Sequence, residues 1–369
     1  MNSNPAYRYY VLGMITMTSV FSITDRLVMS ILMEDIKAEF ALTDTQMGLL
    51  AGVAFTMFYV IMGIPIARLA DRFNRRNILS ISIIVWSGMT ALCGMAAGFV
   101  SLFLARVGVG IGEAGGAPPS LSIIADYFRR QELSRAMSLY STGATMGTVT
   151  GLMAGGYFAD LLGWRMTFVV LGIPGILLGI VILLTVREPR RGTFAEPGTA
   201  TGEGDDLVTT LLSLARNAVY VRVALANALA IIVAYAFSIW MAPILLRNFD
   251  LSTTEVGFYL GLAFIFGGVP GLLLGGWMAD YFAKWDLRWR AWLCAMALPL
   301  ALPVLCLSLI LEDFMPVLVA YALGYGLLVF TQGPALSVLQ SSVLPAQRAL
   351  ATSLAFLLTN ILGQAVGSL

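Results

Sequence analysis

The chain has 369 residues, of which 59% are hydrophobic and only 12% are charged, and its formal net charge is +1. Soluble domains carry about 25% charged residues, so this composition excludes a soluble protein and indicates an integral membrane protein. The chain has no histidine, and its three cysteines lie in apolar stretches without the spacing of a metal site. We therefore expect neither a metal nor another cofactor.

Eleven apolar segments of 20 or more residues follow one another along the chain. Each is long enough to cross a bilayer as a helix, which predicts an all-α membrane protein. The last segment ends at the final residue, and we expect a twelfth span to be missing. We place the eleven spans at 8–33, 44–69, 77–99, 101–126, 135–160, 164–186, 218–246, 253–282, 289–311, 314–340 and 347–369.

A polar stretch divides these spans into two groups. Residues 187–217 are rich in proline, glycine, threonine and glutamate, which is typical of a flexible linker on the cytoplasmic side. We expect a six-span half at 1–186 and a second half at 218–369, of which five spans are visible.

The two halves repeat. The sequence LTDTQMGLLAG from Leu42 resembles LSTTEVGFYLG from Leu251, and Asp71 corresponds to Asp280 at the same offset. Two parallel six-span halves with a solute site at their interface are typical of secondary transporters.

The basic residues predict the orientation in the membrane. They concentrate in alternate loops, including those of Arg75 and Arg129, while the opposite loops hold only Lys37, Arg165 and Arg247. Since cytoplasmic loops carry the excess of arginine and lysine, the N-terminus is predicted to face the cytoplasm. Labelling of single cysteines with an impermeant reagent tests this orientation, and labelling at position 75 from outside would contradict it.

Four charged residues lie inside the predicted spans of the first half, namely Asp25, Arg26, Arg106 and Glu113. A charge at bilayer depth costs at least about 2.5–3.5 kcal/mol, so such residues generally have a function or a partner. Arg106 and Glu113 are two helical turns apart and share one helix face. Counted from the span ends, Asp25 and Arg26 lie at a depth between these two and can pair with either.

These charges suggest distinct roles. Asp25 and Glu113 are candidate proton carriers, because burial favours the neutral acid and a nearby arginine favours the carboxylate. We interpret Arg26, together with Glu113, as the site for an anionic headgroup, because a guanidinium offers paired donors to phosphate. Arg106 is a second substrate-binding candidate, with a structural role at helix-end carbonyls as an equal alternative.

The second half contributes aromatic residues at membrane depth and no comparable charge. Tyr235, Trp240 and Phe264 are candidate contacts for an apolar tail, although a lipid-facing position or core packing is the better explanation for any single one of them. A cavity that is charged on one wall and aromatic on the other suits an amphiphile.

Two loops carry related sequences, ARLADRFNRR at 67–76 and GWMADYFAK at 276–284. They resemble the loop signature G-x-x-x-D-R-x-G-R-R of the Major Facilitator Superfamily, with Ala67 and Asn74 in place of two glycines. An ordinary positively charged cytoplasmic loop is the alternative. The resemblance implies a role in gating for Asp71, Arg72, Arg75, Arg76 and Asp280.

Four glycines recur every fourth residue in the fifth span, at Gly143, Gly147, Gly151 and Gly155. Such a stripe of small residues predicts close packing against another helix. The superfamily's fifth-helix motif has a proline where this chain has Leu152, so the packing interpretation is preferred to an antiporter signature.

Longer stretches of sequence point to one branch of this superfamily. The chain contains ITDRLVMSILMEDIKAEFALTDTQMGLL from Ile23, RVGVGIGEA from Arg106, IADYF from Ile124 and VREPRRG from Val186. Together these resemble the spinster-like branch of the superfamily, strongly in the first half and at superfamily level in the second. The resemblance implies a twelve-helix alternating-access transporter of lysophospholipids or sphingosine-1-phosphate-like lipids, often proton-linked. The family's first-helix Asp–Arg pair is then Asp25 with Arg26, and its fourth-helix arginine and glutamate are Arg106 and Glu113.

We therefore predict a monomeric secondary transporter whose partners are an anionic lipid-like substrate, protons and the surrounding membrane lipids. The alternatives within transport are a proton-coupled carrier of a small organic anion and a drug exporter. Outside transport, a lipid scramblase or a receptor-like membrane protein remains open. An enzyme is disfavoured because no metal cluster or serine-based motif is present, and the basic residues follow membrane topology instead of forming a nucleic-acid surface.

Overall fold

The structure, a computed structural model, describes residues 5–191, 193, 207–343 and 348–368. These residues are almost entirely helical, and no strand occurs among them, as the apolar spans predict. In the described part of the chain, three short π-helical segments interrupt the α-helical hydrogen bonding: Leu49–Val53, Phe264–Gly268 and Ile361–Val366. The α-helices are α1 (Pro5–Ile31), α2 (Met33–Phe40), α3 (Asp44–Gly48), α4 (Ala54–Arg72), α5 (Arg75–Cys93), α6 (Phe99–Glu113), α7 (Ala117–Tyr127), α8 (Arg130–Thr185), α9 (Leu207–Arg216), α10 (Ala218–Asn248), α11 (Thr253–Ala263), α12 (Val269–Phe282), α13 (Trp289–Ile310), α14 (Phe314–Phe330), α15 (Gln332–Ser341) and α16 (Arg348–Asn360).

Within the described residues, nine helical segments are long and apolar enough to cross a membrane. One of them, Arg135–Thr185, contains two of the predicted spans, because α8 changes direction at Gly163. Gly163 has φ 77°, a left-handed backbone conformation that glycine adopts without the steric cost of a side chain. The predicted final span corresponds to α16 and the π-helical segment that follows it.

The chain forms two compact units. Unit 1 contains residues 1–199 and 245–258, and unit 2 contains residues 200–244 and 259–369. The predicted division into halves with a linker at 187–217 stays a prediction, since residues 192 and 194–206 lie outside the described part of the chain. Within that predicted linker, α9 forms a helix.

Polar contacts hold residues 245–258 in unit 1. Arg247 donates hydrogen bonds of 2.6 Å to Glu34 and to Asp44 through Nη2. The carboxylate of Asp160 accepts from the backbone N–H groups of Thr253 and Thr254, which open α11. The start of α11 is thus capped from α8, because the first N–H groups of a helix have no partner within the helix.

The glycine stripe of α8 packs directly against α1, as the four-residue spacing predicts. A Cβ atom added at Gly147 would lie 2.5 Å from the backbone oxygen of Val20, and one at Gly143 would lie 2.7 Å from that of Thr16. Thr24 of α1 donates a hydrogen bond of 3.1 Å to the carbonyl of Gly147 across this contact. The stripe therefore fixes the depth and the rotation of α1, which carries Asp25 and Arg26.

We expect Gly147→Ala to destabilise the protein by about 1–3 kcal/mol, because the added methyl group meets the backbone of α1 and cannot move away. The matched control is Gly13→Ala in α1, where the added Cβ has no atom within 4 Å. The control should leave the melting temperature of the detergent-solubilised protein unchanged or slightly raised, since alanine favours helix formation. Equal melting temperatures for the two variants would contradict the close contact between α1 and α8.

Candidate functional site

The centre of unit 1 contains a buried ion pair between Arg26 of α1 and Glu113, the last residue of α6. Arg26 donates to Glu113 Oε1 through Nε at 2.7 Å and also through Nη2. The hydroxyl of Ser22, one turn earlier on α1, donates to the same oxygen. Charge-assisted bonds of this kind are among the strongest in proteins, so one carboxylate oxygen joins α1 to the end of α6.

Two aromatic rings of α4 cover the guanidinium of Arg26. Its central carbon lies 4.7 Å from the ring centroid of Phe55 and 5.1 Å from that of Tyr59, within the range of cation–π attraction. The side chain of Arg26 is 17% exposed, whereas that of Glu113 is 2% exposed. Arg26 is thus the member of the pair that a solute can reach.

Asp25 lies near this pair but makes its hydrogen bond with α5 instead. It is 1% exposed, and Thr90 of α5 donates a hydrogen bond of 3.0 Å to its Oδ2 atom. Within the described residues, neither the Oδ1 atom of Asp25 nor the Oε2 atom of Glu113 has a hydrogen-bond donor. A buried carboxylate oxygen without a donor is costly, and the role of these two acids as proton carriers stays a prediction.

Arg106 is fully buried and is held by main-chain carbonyl groups. Its Nε donates to the oxygen of Leu50 at 3.3 Å, and its Nη1 lies 3.5 Å from the backbone oxygen of Asp25. Leu50 belongs to the π-helical segment Leu49–Val53, where the shifted hydrogen-bond register lets a carbonyl face a neighbouring helix. This environment corresponds to the structural alternative for Arg106, and its contact with substrate stays a prediction.

Glycines allow the charged helices to approach this closely. A Cβ atom at Gly110 would lie 2.3 Å from the backbone oxygen of Phe55, and one at Gly112 would lie 2.7 Å from the backbone nitrogen of Trp86. The glycines of RVGVGIGEA therefore serve helix packing, and they bring α6 against both α4 and α5.

The loop motifs form polar clusters within their own units. Arg75 is buried and donates to Asp126 at 2.5 Å and to Glu188 at 2.8 Å, and the backbone N–H of Arg76 also donates to Glu188. Arg72 is exposed, while the side chain of Asp71 lies outside the described residues. In unit 2, Asp280 pairs with Arg290 at 3.2 Å. The gating role of these residues stays a prediction.

The predicted tail-binding residues belong to unit 2. The indole nitrogen of Trp240 donates a hydrogen bond of 3.2 Å to the carbonyl of Ser368. Phe264 packs at 6.1 Å on the ring of Tyr325, and the ring of Tyr235 lies against Gly363. These contacts are ordinary core packing, so binding of a tail by these residues also stays a prediction.

Four residues that the sequence analysis did not single out surround the charges: Ser22, Phe55, Tyr59 and Thr90. Hydroxyl groups are common in membrane helices, where most of them bond the preceding turn of their own helix. The sequence signal for Ser22 was its position as a polar residue one helical turn from Arg26. The signal for Thr90 was its position as a polar residue at the membrane depth of Asp25.

Comparison with known proteins places this chain in a family. The sequence pattern of the Major Facilitator Superfamily matches residues 14–368. The chain belongs to this superfamily. It is therefore a multi-pass membrane transporter, as the repeated six-span halves predict, and it is a spinster-like homologue.

Individual relatives support the same placement. An MFS-type efflux pump of Mycolicibacterium smegmatis is 31% identical over 363 residues, which cover 98% of this chain and 83% of the pump. The sphingosine-1-phosphate transporter SPNS2 of Danio rerio is 26% identical over 369 residues, covering 96% of this chain and 73% of that protein. A crystal structure of a bacterial homologue of the human lysosomal transporter Spinster superposes with a TM-score of 0.92 at 31% identity, covering 99% of this chain and 82% of that one.

The ion pair should be detectable as a coupling between Arg26 and Glu113 in this transporter. Arg26→Gln and Glu113→Gln should each lower the melting temperature, because each leaves its former partner as a buried charge without a counter-ion. The double variant should be destabilised less than the sum of the two, with a coupling free energy of about 1–3 kcal/mol. Strict additivity in the double-mutant cycle would show that the two side chains do not interact.

Proposed function

We propose that this transporter moves an anionic amphiphilic lipid, such as a lysophospholipid or a sphingosine-1-phosphate-like molecule, by alternating access coupled to protons. The observation that carries the proposal is the partly exposed guanidinium of Arg26 beside the buried carboxylate of Glu113. The chain is similar to a sphingosine-1-phosphate transporter over most of its length and to a bacterial spinster homologue in structure, which supports a lipid substrate.

In this proposal, the substrate and Glu113 compete for the same guanidinium. A phosphate headgroup that binds Arg26 replaces the carboxylate, and Glu113 then loses the charge that stabilises its ionised form. Glu113 consequently takes up a proton through Oε2, the oxygen without a donor. Because protonation of Glu113 also weakens its hold on Arg26, substrate binding and proton binding favour each other, as thermodynamic linkage requires.

Asp25 is a second proton site in this proposal. Its Oδ2 atom is held by Thr90, and its Oδ1 atom can accept a proton. Arg106 keeps a positive charge beside the backbone of Asp25 without forming an ion pair with its carboxylate in the described part of the chain. The two acids thus sit next to different arginines, and a movement of α1 relative to α6 would change the charge that each acid faces.

A proton-coupled carrier should lose its response to a pH gradient when either acid is neutralised. Asp25→Asn and Glu113→Gln, reconstituted in proteoliposomes, should each abolish transport of a lysophospholipid driven by a pH gradient while the protein stays folded. Glu312→Gln is the matched control, since Glu312 is an exposed carboxylate in the loop between α13 and α14. An unchanged response in both Asp25→Asn and Glu113→Gln would refute the carboxylates as coupling sites.

Arg26 should recognise the anionic head of the amphiphile, and other residues of the cavity should bind its apolar tail. Affinity in a series of lysophospholipids should rise with acyl length, by roughly 0.8 kcal/mol for each buried methylene, up to the limit of the cavity. Arg26→Lys keeps the charge but removes the planar pair of donors, so it should weaken headgroup preference and leave the chain-length dependence intact.

Two outcomes would contradict parts of this proposal. If short organic acids bind as tightly as long-chain lipids, the transporter carries small organic anions instead. If Trp240→Ala and Phe264→Ala leave the chain-length dependence unchanged, these residues of unit 2 do not contact the tail.

A further inference from the structure

A dense group of aromatic residues surrounds the turn between α12 and α13 in unit 2. Four of the seven tryptophans of the chain lie between residues 277 and 292. Their rings and those of their neighbours form a continuous series of contacts with centroids 4.9–5.7 Å apart. We name this group the aromatic turn, and its members are Trp277, Tyr281, Phe282, Trp285, Trp289 and Trp292.

The aromatic turn is exposed, although its residues are large and apolar. Trp285 is 67% exposed and Leu287 is 69% exposed, and both lie in the six-residue connection between the two helices. The surface on the neighbouring helices is exposed and apolar as well, with Leu273 on α12 and Met296 on α13. Since these helices cross the membrane, the aromatic turn extends their lipid-facing surface to the helix ends. Tryptophan and tyrosine side chains favour this membrane–water interface.

Two cations stand beside the exposed Trp285. Lys284 and Arg288 are both exposed, and in the described part of the chain no carboxylate lies within ion-pair distance of either. Of the nearby acids, Asp280 pairs with Arg290, and Asp286 accepts from the backbone N–H of Arg288 and not from its guanidinium. The charges of Lys284 and Arg288 are therefore available to an external anion.

The turn itself is held in a defined shape. The backbone N–H of Trp285 donates to the carbonyl oxygen of Phe282 at 3.0 Å, and that of Trp289 donates to the carbonyl oxygen of Asp286 at 3.1 Å. Phe282 and Trp289 stack at 4.9 Å across the turn. The turn thus presents Lys284, Arg288 and the exposed indole of Trp285 together. Because its backbone is already ordered, it loses little conformational freedom when a ligand binds.

The corresponding turn of unit 1 has a different construction. Only Phe73 and Asn74 separate α4 from α5, and the segment 67–76 has no tryptophan. Arg75 is bound to Asp126 and Glu188 inside the unit, while Arg68 and Arg72 are exposed. The aromatic character of the second turn is therefore not a requirement of the repeated fold.

We propose that the aromatic turn binds the headgroup of an anionic phospholipid at the membrane surface, with Lys284 and Arg288 on the phosphate groups and Trp285 among the upper acyl carbons. Each cation near an anionic membrane surface adds about 1 kcal/mol, or roughly five-fold in affinity. This interaction is independent of the charged site at Arg26 and Glu113.

The test is native mass spectrometry of the full chain with phosphatidylglycerol and with phosphatidylcholine of the same acyl chains. The unmodified protein should retain phosphatidylglycerol preferentially, and the double variant Lys284→Gln with Arg288→Gln should lose about ten-fold or more of this preference. Trp285→Ala should weaken retention of both lipids by similar factors, because its contact does not depend on lipid charge. Unchanged melting temperatures without added lipid would show that the variants are folded.

The matched control is Arg129→Gln with Arg190→Gln, which removes two exposed cations from loops of unit 1 that lack an exposed tryptophan. This control should keep the preference for phosphatidylglycerol. An equal loss in the control would assign the preference to diffuse charge, and an unchanged preference in the Lys284–Arg288 variant would show that these two cations do not select an anionic lipid. Either result overturns the proposal.

Discussion

The ion pair between Arg26 and Glu113 is the interaction on which the centre of unit 1 depends. Each of these charges alone would be costly at this depth in an apolar bundle, and together they offset that cost only if the contact is close and well bonded. The glycine stripe of α8 sets the position of α1, and Gly110 and Gly112 let α6 approach its neighbours. The close helix packing and the charged pair are consequently two parts of one arrangement.

The four membrane charges are not equivalent, although they lie close together. Arg106 is held by carbonyl groups, one of them in the π-helical segment Leu49–Val53. Asp25 has a single hydroxyl donor, and Glu113 shares one oxygen between a hydroxyl and a guanidinium. Of the four, only Arg26 is partly exposed, so a solute that replaces a partner within this group of charges does so by binding Arg26.

The sequence predicted the helices and a depth at which Arg26 can pair with Glu113, because both follow from simple regularities. Apolar length defines a span, and counting residues from the span ends places Arg26 between Arg106 and Glu113 in depth. The spacing of four in the fifth span likewise predicts the packing face that α8 turns to α1. These features depend on rise per residue and on helical period, which are nearly constant.

The partners of individual atoms could not be predicted in the same way. A π-helical segment changes the rotation, about the helix axis, of all residues that follow it. The sequence around Leu50 shows no change of periodicity that would predict this. The bond from Thr90 to Asp25 depends on the rotation of α5 relative to α1, which the packing of the whole unit determines. The aromatic turn was visible as a run of tryptophans, but its exposure could only be read from the structure.

The most direct test of competition for Arg26 is the number of protons exchanged when a lysophospholipid binds to the purified transporter. Calorimetric titrations in buffers of different ionisation enthalpy give this number at each pH. The competition between headgroup and Glu113 predicts net proton uptake by the unmodified protein and a clear loss of that uptake in Glu113→Gln. Binding without proton exchange in the unmodified protein, or equal uptake in the variant, would contradict the account.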